Sequence, residues 1–531
     1  MRALSRRVGG SASVLRPAAV RRCFSTERLP DDDYPPPCEG PWRQGKGVNA
    51  QYQPDFLEPM KLTNPRENRP EVRISRDHDL PLGEWSEEKL RQAAEQHCVG
   101  TWGTSAGVSK LPIITHGDGV YVYDSDGKEY LDWTSQAVCT NMGHNVPAQV
   151  KEAINKQLDA VPMVYGGLGM VEVRARLSQL LSELCPGDIN GFLFTCGGSE
   201  ANEAAMRMAK RFTGRNKIIN QYRSYHGASS ASLSATGDFR RWFGETGTSG
   251  FVKTFNPQPF GFRWGDTDAD RTRLLLLLLE EQIRMEGPES IAAIMVETIV
   301  GAGGVLVPPQ GYIEGVRALC DHFDIMLIMD EVMVGLGRTG KLWAAQHFEG
   351  VIPDILTSAK GLTGGVLPFG MVGMSQPIKD FFMKEPLGWG ATYANHPVGM
   401  ACAYETLKYL VQHDLPGHAA ALEPVMVEEM ERLVQTHPSV RQARCVGLFG
   451  CLDLVDSQSG RFVQPPLSQT INPKVGRFKE AMADNGLFGL FRAPLLHCAP
   501  PLTITEEQLR DGFQRLDKAL LVLDDGWRGG Y

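Results

Sequence analysis

Asp324-Ile-Met-Leu-Ile-Met-Asp-Glu331 is a short apolar run that ends abruptly in two acids. An unbroken apolar run without polar alternation predicts a strand buried on both faces, as in parallel sheets. Asp330 then stands at the strand's carboxyl end, where open α/β sheets bind their ligands. Phe192 to Thr195, Ile218 to Gln221, Ile291 to Val296 and Ile352 to Leu356 are further runs of this kind, each bounded by Gly, Pro or charge. Ahead of them in the chain, Ala148 to Leu158 and Met170 to Leu184 carry helical spacing. Strand and helix in alternation predict an α/β fold, a mostly parallel sheet covered by helices on both faces.

Outside this core, Asp118 to Trp133 alternates apolar and polar residues around Asp126-Gly127, which predicts a hairpin. The chain turns helical from Asn395 to about His413, and Val440 to Leu454 and Thr503 to Leu523 read as a smaller α+β unit. The expected organisation is a transit peptide over 1–26, a Pro-rich arm over 27–95 and the N-terminal part of a small domain over 96–160. A large domain over 161–395 follows, and the rest of the small domain fills 396–531. No internal repeat is visible.

Composition narrows the function. Among 531 residues the formal net charge is −8, with 42% hydrophobic and 22% charged residues, so a nucleic-acid partner, which needs a basic face, is not expected. Leu274 to Leu279 is followed at once by Glu280 and Glu281. It falls far short of the ~20 apolar residues of a membrane span and predicts a buried helix segment. The eleven cysteines include no C-x-x-C pair, which suits reduced thiols better than a disulfide framework or a zinc site. Arg2, Arg6, Arg7, Arg16, Arg21 and Arg22 are interleaved with Ala, Val, Leu and Ser, and no acid precedes Glu27. That pattern predicts import into the mitochondrial matrix, with processing near Arg22-Cys-Phe-Ser25.

The polar residues at the strand ends carry complementary chemistry. Gly197, Gly198 and Ser199 open a helix directly after a strand, leaving bare amides at a positive dipole end, a phosphate cradle. Asp330, meeting the cleft rather than solvent, needs a cationic partner such as a protonated ring nitrogen or a lysine. Lys360 lies in Thr357-Ser-Ala-Lys-Gly-Leu-Thr-Gly-Gly365, one long amine among residues cut back almost to backbone. Crowding disfavours its charge and suits it to form a Schiff base. Small neighbours leave room around the amine and let backbone pass close by. Phosphate cradle, ring-nitrogen acid and imine lysine together are the parts for pyridoxal 5'-phosphate. Tyr225 or His226 is placed to cover the ring.

On these residues the sequence resembles the class III aminotransferases, of the fold type I pyridoxal phosphate enzymes. The motifs are Phe194-Thr-Cys-Gly-Gly-Ser-Glu-Ala-Asn-Glu203, Tyr222-Arg-Ser-Tyr-His-Gly227, Asp330-Glu-Val-Met-Val-Gly-Leu-Gly-Arg-Thr-Gly340, Ser358-Ala-Lys-Gly361, Thr392 before Asn395-His-Pro397, and Ala499-Pro-Pro-Leu-Thr-Ile-Thr505. They run in order over about residues 100 to 525. The resemblance implies a large domain with a seven-stranded sheet and a small domain from both chain ends. It also implies a phosphate on Gly198 and Ser199, Tyr225 on the ring, Asp330 at the pyridine nitrogen, Val332 beneath the ring and Lys360 as the covalent anchor. His226 and Glu297 join the cofactor site, and Thr392 reaches the phosphate of the neighbouring subunit in a homodimer. Gly237-Asp-Phe-Arg-Arg-Trp242 is similar to the branch acting on taurine, β-alanine and other ω-amino acids, with pyruvate or 2-oxoglutarate as acceptor.

Three positions depart from the family pattern. Met333 replaces a Gln near the ring hydroxyl, and Thr298 replaces a Pro after Glu297. The arginine for a substrate carboxylate has Arg492 as its candidate, with His497 the basic residue just before Cys498; Trp102 is a second substrate-side candidate. An aminomutase or a decarboxylating aminotransferase stays open on the same scaffold. From another class, Gly335-Leu-Gly-Arg-Thr-Gly340 matches the dinucleotide fingerprint and keeps a nicotinamide oxidoreductase as a rival. Against it, those glycines follow Asp330-Glu331 instead of leaving the strand directly, and the next strand ends in Lys360 where a ribose-binding acid would belong. A binding protein without catalysis would require loss of Lys360 or Asp330.

Overall fold

The structure is a computed structural model that describes residues 85–102, 105–244, 248–260, 263–464 and 472–524. Chain contacts divide the molecule after Asp55, and every described residue belongs to the unit Phe56–Tyr531. The basic segment 1–26 and the arm up to residue 84 lie outside the described residues. The last part of that arm is helical: Glu87–His97 is capped by Ser86, whose side chain accepts from Lys89 N, with Glu87 and Glu88 in the first turn. The charged start, not apolar periodicity, specifies this helix, and none of its residues is buried.

The strands in chain order are β1 (Ile114–Asp118), β2 (Tyr121–Asp124), β3 (Glu129–Asp132), β4 (Ile189–Thr195), β5 (Lys217–Gln221), β6 (Phe251–Thr254), β7 (Ile291–Glu297), β8 (Met326–Asp330), β9 (Ile355–Ser358) and β10 (Gly370–Ser375). They continue with β11 (Val440–Val446), β12 (Phe449–Leu454), β13 (Leu487–Phe488), β14 (Phe491–Arg492) and β15 (Leu495–Cys498). The large sheet has seven strands in the order β4-β10-β9-β8-β7-β5-β6. Pairing is parallel from β9 through β6, and β10 runs antiparallel between β4 and β9. Every residue of β7, β8, β9 and β10 is buried, which is why β7 and β8 are apolar up to the acids at their ends.

The helix Gly198–Thr213 lies against this sheet on a face of Ala201, Ala204, Ala205, Met206, Met208 and Ala209. Small residues there bring the helix axis close to the strands. The leucine run forms part of the helix Asp268–Glu286, but only one stripe is buried, Leu275, Leu279 and Ile283. Leu277 is 52% exposed; helical geometry turns consecutive leucines to opposite sides.

Segments from the first and last parts of the described chain meet. In the predicted hairpin β2 pairs antiparallel with β3, and β13, about 360 residues further on, adds to β3 in parallel. A third sheet has the order β11-β12-β15-β14. The segment Gly335–Gly340 proves to be a tie between these parts. Arg338 is fully buried, its Nη1 donates to the carbonyls of Leu448 (2.9 Å) and Pro500 (2.6 Å), and its Nη2 donates to Ser135 Oγ and Asn141 Oδ1, both at 3.1 Å. Leu336, Gly337 and Gly340 take positive φ to present it. A loop whose one cation is committed to protein acceptors does not cradle a dinucleotide, and the oxidoreductase reading falls. Arg338→Met should strip those acceptors of a donor and destabilise the protein by about 3 kcal/mol, read as a lower urea midpoint at unchanged slope.

Candidate active site

The carboxyl ends of β4, β5, β7, β8 and β9 open on one cleft of about 500 Å³. Gly198, Ser199, Tyr225, His226, Glu297, Asp330, Val332, Lys360, Arg492 and Trp102 all line it. Thr392 does not: it is exposed, on the segment that precedes Asn395.

Asp330 ends β8 in register with Glu297 on β7 and Thr357 on β9. It is 3% exposed. Its Oδ2 accepts from Asn202 Nδ2 (2.7 Å) and pairs with His226 Nδ1 (2.8 Å), while Oδ1 accepts from Val332 N (2.9 Å). Asn202 also donates to the His226 carbonyl and accepts from Thr357 Oγ1, both at 2.7 Å. This residue fixes the aspartate but drew no role from the sequence. Its signal was positional, a lone amide on the apolar face of the helix Gly198–Thr213. His226 Nε2 is buried without a partner among the described residues, an exception to the usual pairing of buried polar atoms.

Lys360 follows β9 and opens the short 3-10 turn Lys360–Thr363 with φ +42. A non-glycine residue in that left-handed region costs about 1 kcal/mol or more, so the surroundings hold it there. A Cβ at Gly361 would collide with the Asn141 amide, and one at Gly364 with Met142. The glycines therefore serve close backbone packing against the segment Cys139 to Met142. The amine makes no hydrogen bond or ion pair among the described residues. Burial lowers its pKa to about 8, and the Arg492 guanidinium adds to the effect.

The rest of the lining has distinct tasks. Glu297 is buried, and its two oxygens accept from Tyr225 N and Gly301 N, both at 2.8 Å. Burial still pushes its pKa up to about 7. A Cβ at Gly198 would lie 2.8 Å from Val332 Cγ1, so helix start and Val332 meet directly. A Cβ at Gly197 would meet nothing within 4 Å, which leaves open space before the helix's first amides. Tyr225 meets Trp102 edge-on at 6.0 Å between centroids and carries the Arg240 guanidinium 3.5 Å from its ring centre. Arg240, like Asn202, was quoted in a motif but given no task.

The departures resolve too. Thr298 Oγ1 donates to Glu331 Oε1 (3.2 Å), which joins Glu331's bonds to Ala344 N and Ala345 N. Met333 lines the cleft. His497 is buried, its Nε2 lies 3.0 Å from the Gly301 carbonyl, and burial brings its pKa down to about 4. A neutral, engaged imidazole is no receptor for an acid. Arg492 is half-buried at the cleft and has no ion pair or hydrogen bond among the described residues.

Comparison with known proteins agrees with this geometry. The family model for aminotransferase class-III matches residues 104–520. The chain belongs to the class III aminotransferases. Among curated relatives of this family, an uncharacterized aminotransferase of Bacillus subtilis, YodT, is 31% identical over 423 residues, covering 76% of this chain and 93% of that one. A taurine:2-oxoglutarate aminotransferase from Bifidobacterium kashiwanohense, solved with pyridoxal phosphate and glutamate, superposes with a TM-score of 0.79 at 37% identity. It covers 84% of this chain and 100% of its own. An (S)-enantioselective ω-transaminase from Thermomicrobium roseum gives a TM-score of 0.77 at 32% identity over 83% of this chain and 100% of its own.

The cofactor of a class III aminotransferase is pyridoxal phosphate, and the cleft fits it. An open glycine-lined helix start suits a phosphate, a buried carboxylate at the strand end suits a pyridinium, and an amine without a partner among the described residues suits an aldehyde.

Proposed function

We propose that the protein transfers an amino group from an ω-amino acid of the taurine, β-alanine or 4-aminobutyrate type to a 2-oxo acid, pyruvate or 2-oxoglutarate. The observation that carries the donor class is Arg492, a cation with no ion pair among the described residues, in the same cleft as the Lys360 amine. A half-buried guanidinium of that kind asks for an acid group, and a donor that places amine and acid at opposite ends answers both. The resemblance of the Gly237–Trp242 segment to the taurine and β-alanine branch supports the same reading, as does the superposition on the taurine:2-oxoglutarate aminotransferase.

In this reading pyridoxal phosphate supplies the electron sink for the carbon that loses its proton. Lys360 Nζ would anchor it and, as a neutral amine, would take the proton from the amine-bearing carbon of the donor. Asp330, fixed by Asn202 and His226, keeps a proton on the ring nitrogen. Gly198 and Ser199 would hold the phosphate, and Tyr225, Val332, Glu297 and His226, which line the same cleft, would hold the ring. Trp102 closes the substrate side.

The reading extends to a homodimer in which Thr392 serves the neighbouring subunit's phosphate. Exposed Thr392 and Tyr393 lie in the same chain as exposed Tyr165, Leu168 and Met170, and Asn395 sits beside Gly166. Exposed large apolar side chains such as Tyr393, Tyr165, Leu168 and Met170 support the reading of an interface there. Location in the mitochondrial matrix rests on the basic, acid-free segment 1–26.

A panel of taurine, β-alanine, 4-aminobutyrate, ornithine and alanine against pyruvate and 2-oxoglutarate tests the substrates. Turnover of ornithine or alanine with no ω-amino acid among the substrates would overturn the donor class. The pH dependence has a defined sign. Only neutral Lys360 accepts a proton, so the turnover number at saturating donor should rise with pH through about 8 and then level.

A further inference from the structure

Among the described residues, ten other than glycine take positive φ, and three of them fall within four positions: Ser135 (+46), Gln136 (+60) and Val138 (+59). A fourth is Lys360 (+42). For Val138 this conformation is an outlier, because its branched Cβ crowds the backbone. Gln136, at ψ −109, lies outside even the left-handed region. Such strain persists only where the surroundings over-determine it, and it collects beside functional groups. The two strained stretches touch.

A Cβ at Gly361 would lie 2.4 Å from Asn141 Nδ2, one at Gly364 2.3 Å from Met142 Cε, and one at Gly365 3.1 Å from Thr140 Cγ2. Residues 140–142 therefore press on the turn that carries Lys360, while Ala137 and Cys139 line the cleft beside it. Behind this segment stands Asp132, fully buried at the end of β3. Its carboxylate accepts from Gln136 N at 2.9 and 3.0 Å, from Gln136 Nε2 at 3.0 Å and from Thr140 Oγ1 at 3.4 Å, and it pairs with His144 Nε2 at 3.0 Å. One acid thus gathers donors from both sides of Val138. Arg338 ties the segment from elsewhere, through Ser135 Oγ and Asn141 Oδ1.

We propose that Asp132 is a positioning residue for Lys360. Its carboxylate holds residues 135–142 in the strained conformation that braces the Lys360 turn, and the brace keeps the amine directed into the cleft. Asp132 does not act on the reacting atoms itself; it acts through residues 140–142. The inference rests on the reading of Lys360 as anchor and proton carrier, and adds what holds it in place. An amine that must serve the cofactor's aldehyde carbon and then the donor's carbon has little tolerance for displacement, since a shift of about 1 Å in a reacting group can cost about 100-fold in rate.

The test compares full-chain holoenzyme of wild type, Asp132→Asn and Gln136→Gly, reading kcat and KM together with amide hydrogen exchange in the peptide 358–366. Asp132→Asn keeps the shape but turns an amide nitrogen toward donors that need an acceptor. Its kcat should fall roughly 10- to 100-fold, with the KM of donor and acceptor within about threefold of wild type. Exchange over 360–366 should quicken at least about tenfold, while the helix Asp268–Glu286 exchanges as before. Gln136 is only partly buried, and glycine adopts its backbone conformation without strain. Gln136→Gly should therefore fold as well as wild type, yet lose about threefold or more in kcat and exchange faster over 360–366. It decides the matter if Asp132→Asn does not fold. Faster exchange confined to 132–144 with kcat unchanged would make Asp132 a local structural residue and overturn the proposal. A lowered kcat with exchange over 360–366 unchanged would overturn it too. A wild-type holoenzyme whose cofactor borohydride fixes on another lysine contradicts the reading of the anchor, and this inference with it.

Discussion

Lys360→Ala protein is expected to fold, to bind pyridoxal phosphate without a covalent link, and to lose at least about 10⁴-fold in turnover, because anchor and proton carrier are removed together. The effect on stability should be small or favourable. The Lys360 amine has no partner among the described residues and burial disfavours its charge, so truncation removes a desolvation cost and no hydrogen bond, while the positive φ is unchanged. Retained far-ultraviolet circular dichroism with lost turnover is the expected pair of results. Exogenous small amines restoring part of the rate would show that the missing group is an amine.

Asp330→Asn is the second large effect. The substitution keeps the shape and one acceptor, but a neutral amide cannot hold a positive charge on the ring nitrogen. Turnover should fall by about 10² to 10⁴. The neighbours sharpen the prediction. Asn202 and His226 are both arranged to donate to a carboxylate, so an amide nitrogen facing either of them leaves a buried donor unpaired. Weaker cofactor retention on dialysis should accompany the lost rate. Asn202→Ala, which frees Asp330 to turn, should share the phenotype in milder form.

The sequence made some features legible for a physical reason and hid others for the same reason. β7 and β8 announced themselves because burial on both faces leaves an unbroken apolar run, whereas β9 was expected over Ile352 to Leu356 and forms over Ile355–Ser358, its second half polar but buried. β10, Gly370-Met-Val-Gly-Met-Ser375, is as buried as they are, yet its glycines read as loop. They are there for contact: a Cβ at Gly370 would lie 2.6 Å from Thr195 Oγ1, and one at Gly373 2.7 Å from Ile189 Cγ2. β6, with Lys253 in its middle, lies at the sheet edge and carried no apolar signal. Asp330 and Lys360 could be named because chemistry needs those residue types at strand ends. Asn202 and Arg240 could not, since their tasks depend on what stands opposite them in space. Gly335 to Gly340 shows the converse error, a motif whose spacing fits a dinucleotide loop but whose buried arginine serves as a brace.

The central claim is that Lys360 is the covalent seat of the cofactor. The direct test is borohydride reduction of the purified holoenzyme, followed by proteolysis and mass spectrometry of the peptides. The account predicts a phosphopyridoxyl group fixed on Nζ of Lys360. The same group on another lysine, or none on any peptide from a protein that turns over normally, would contradict it.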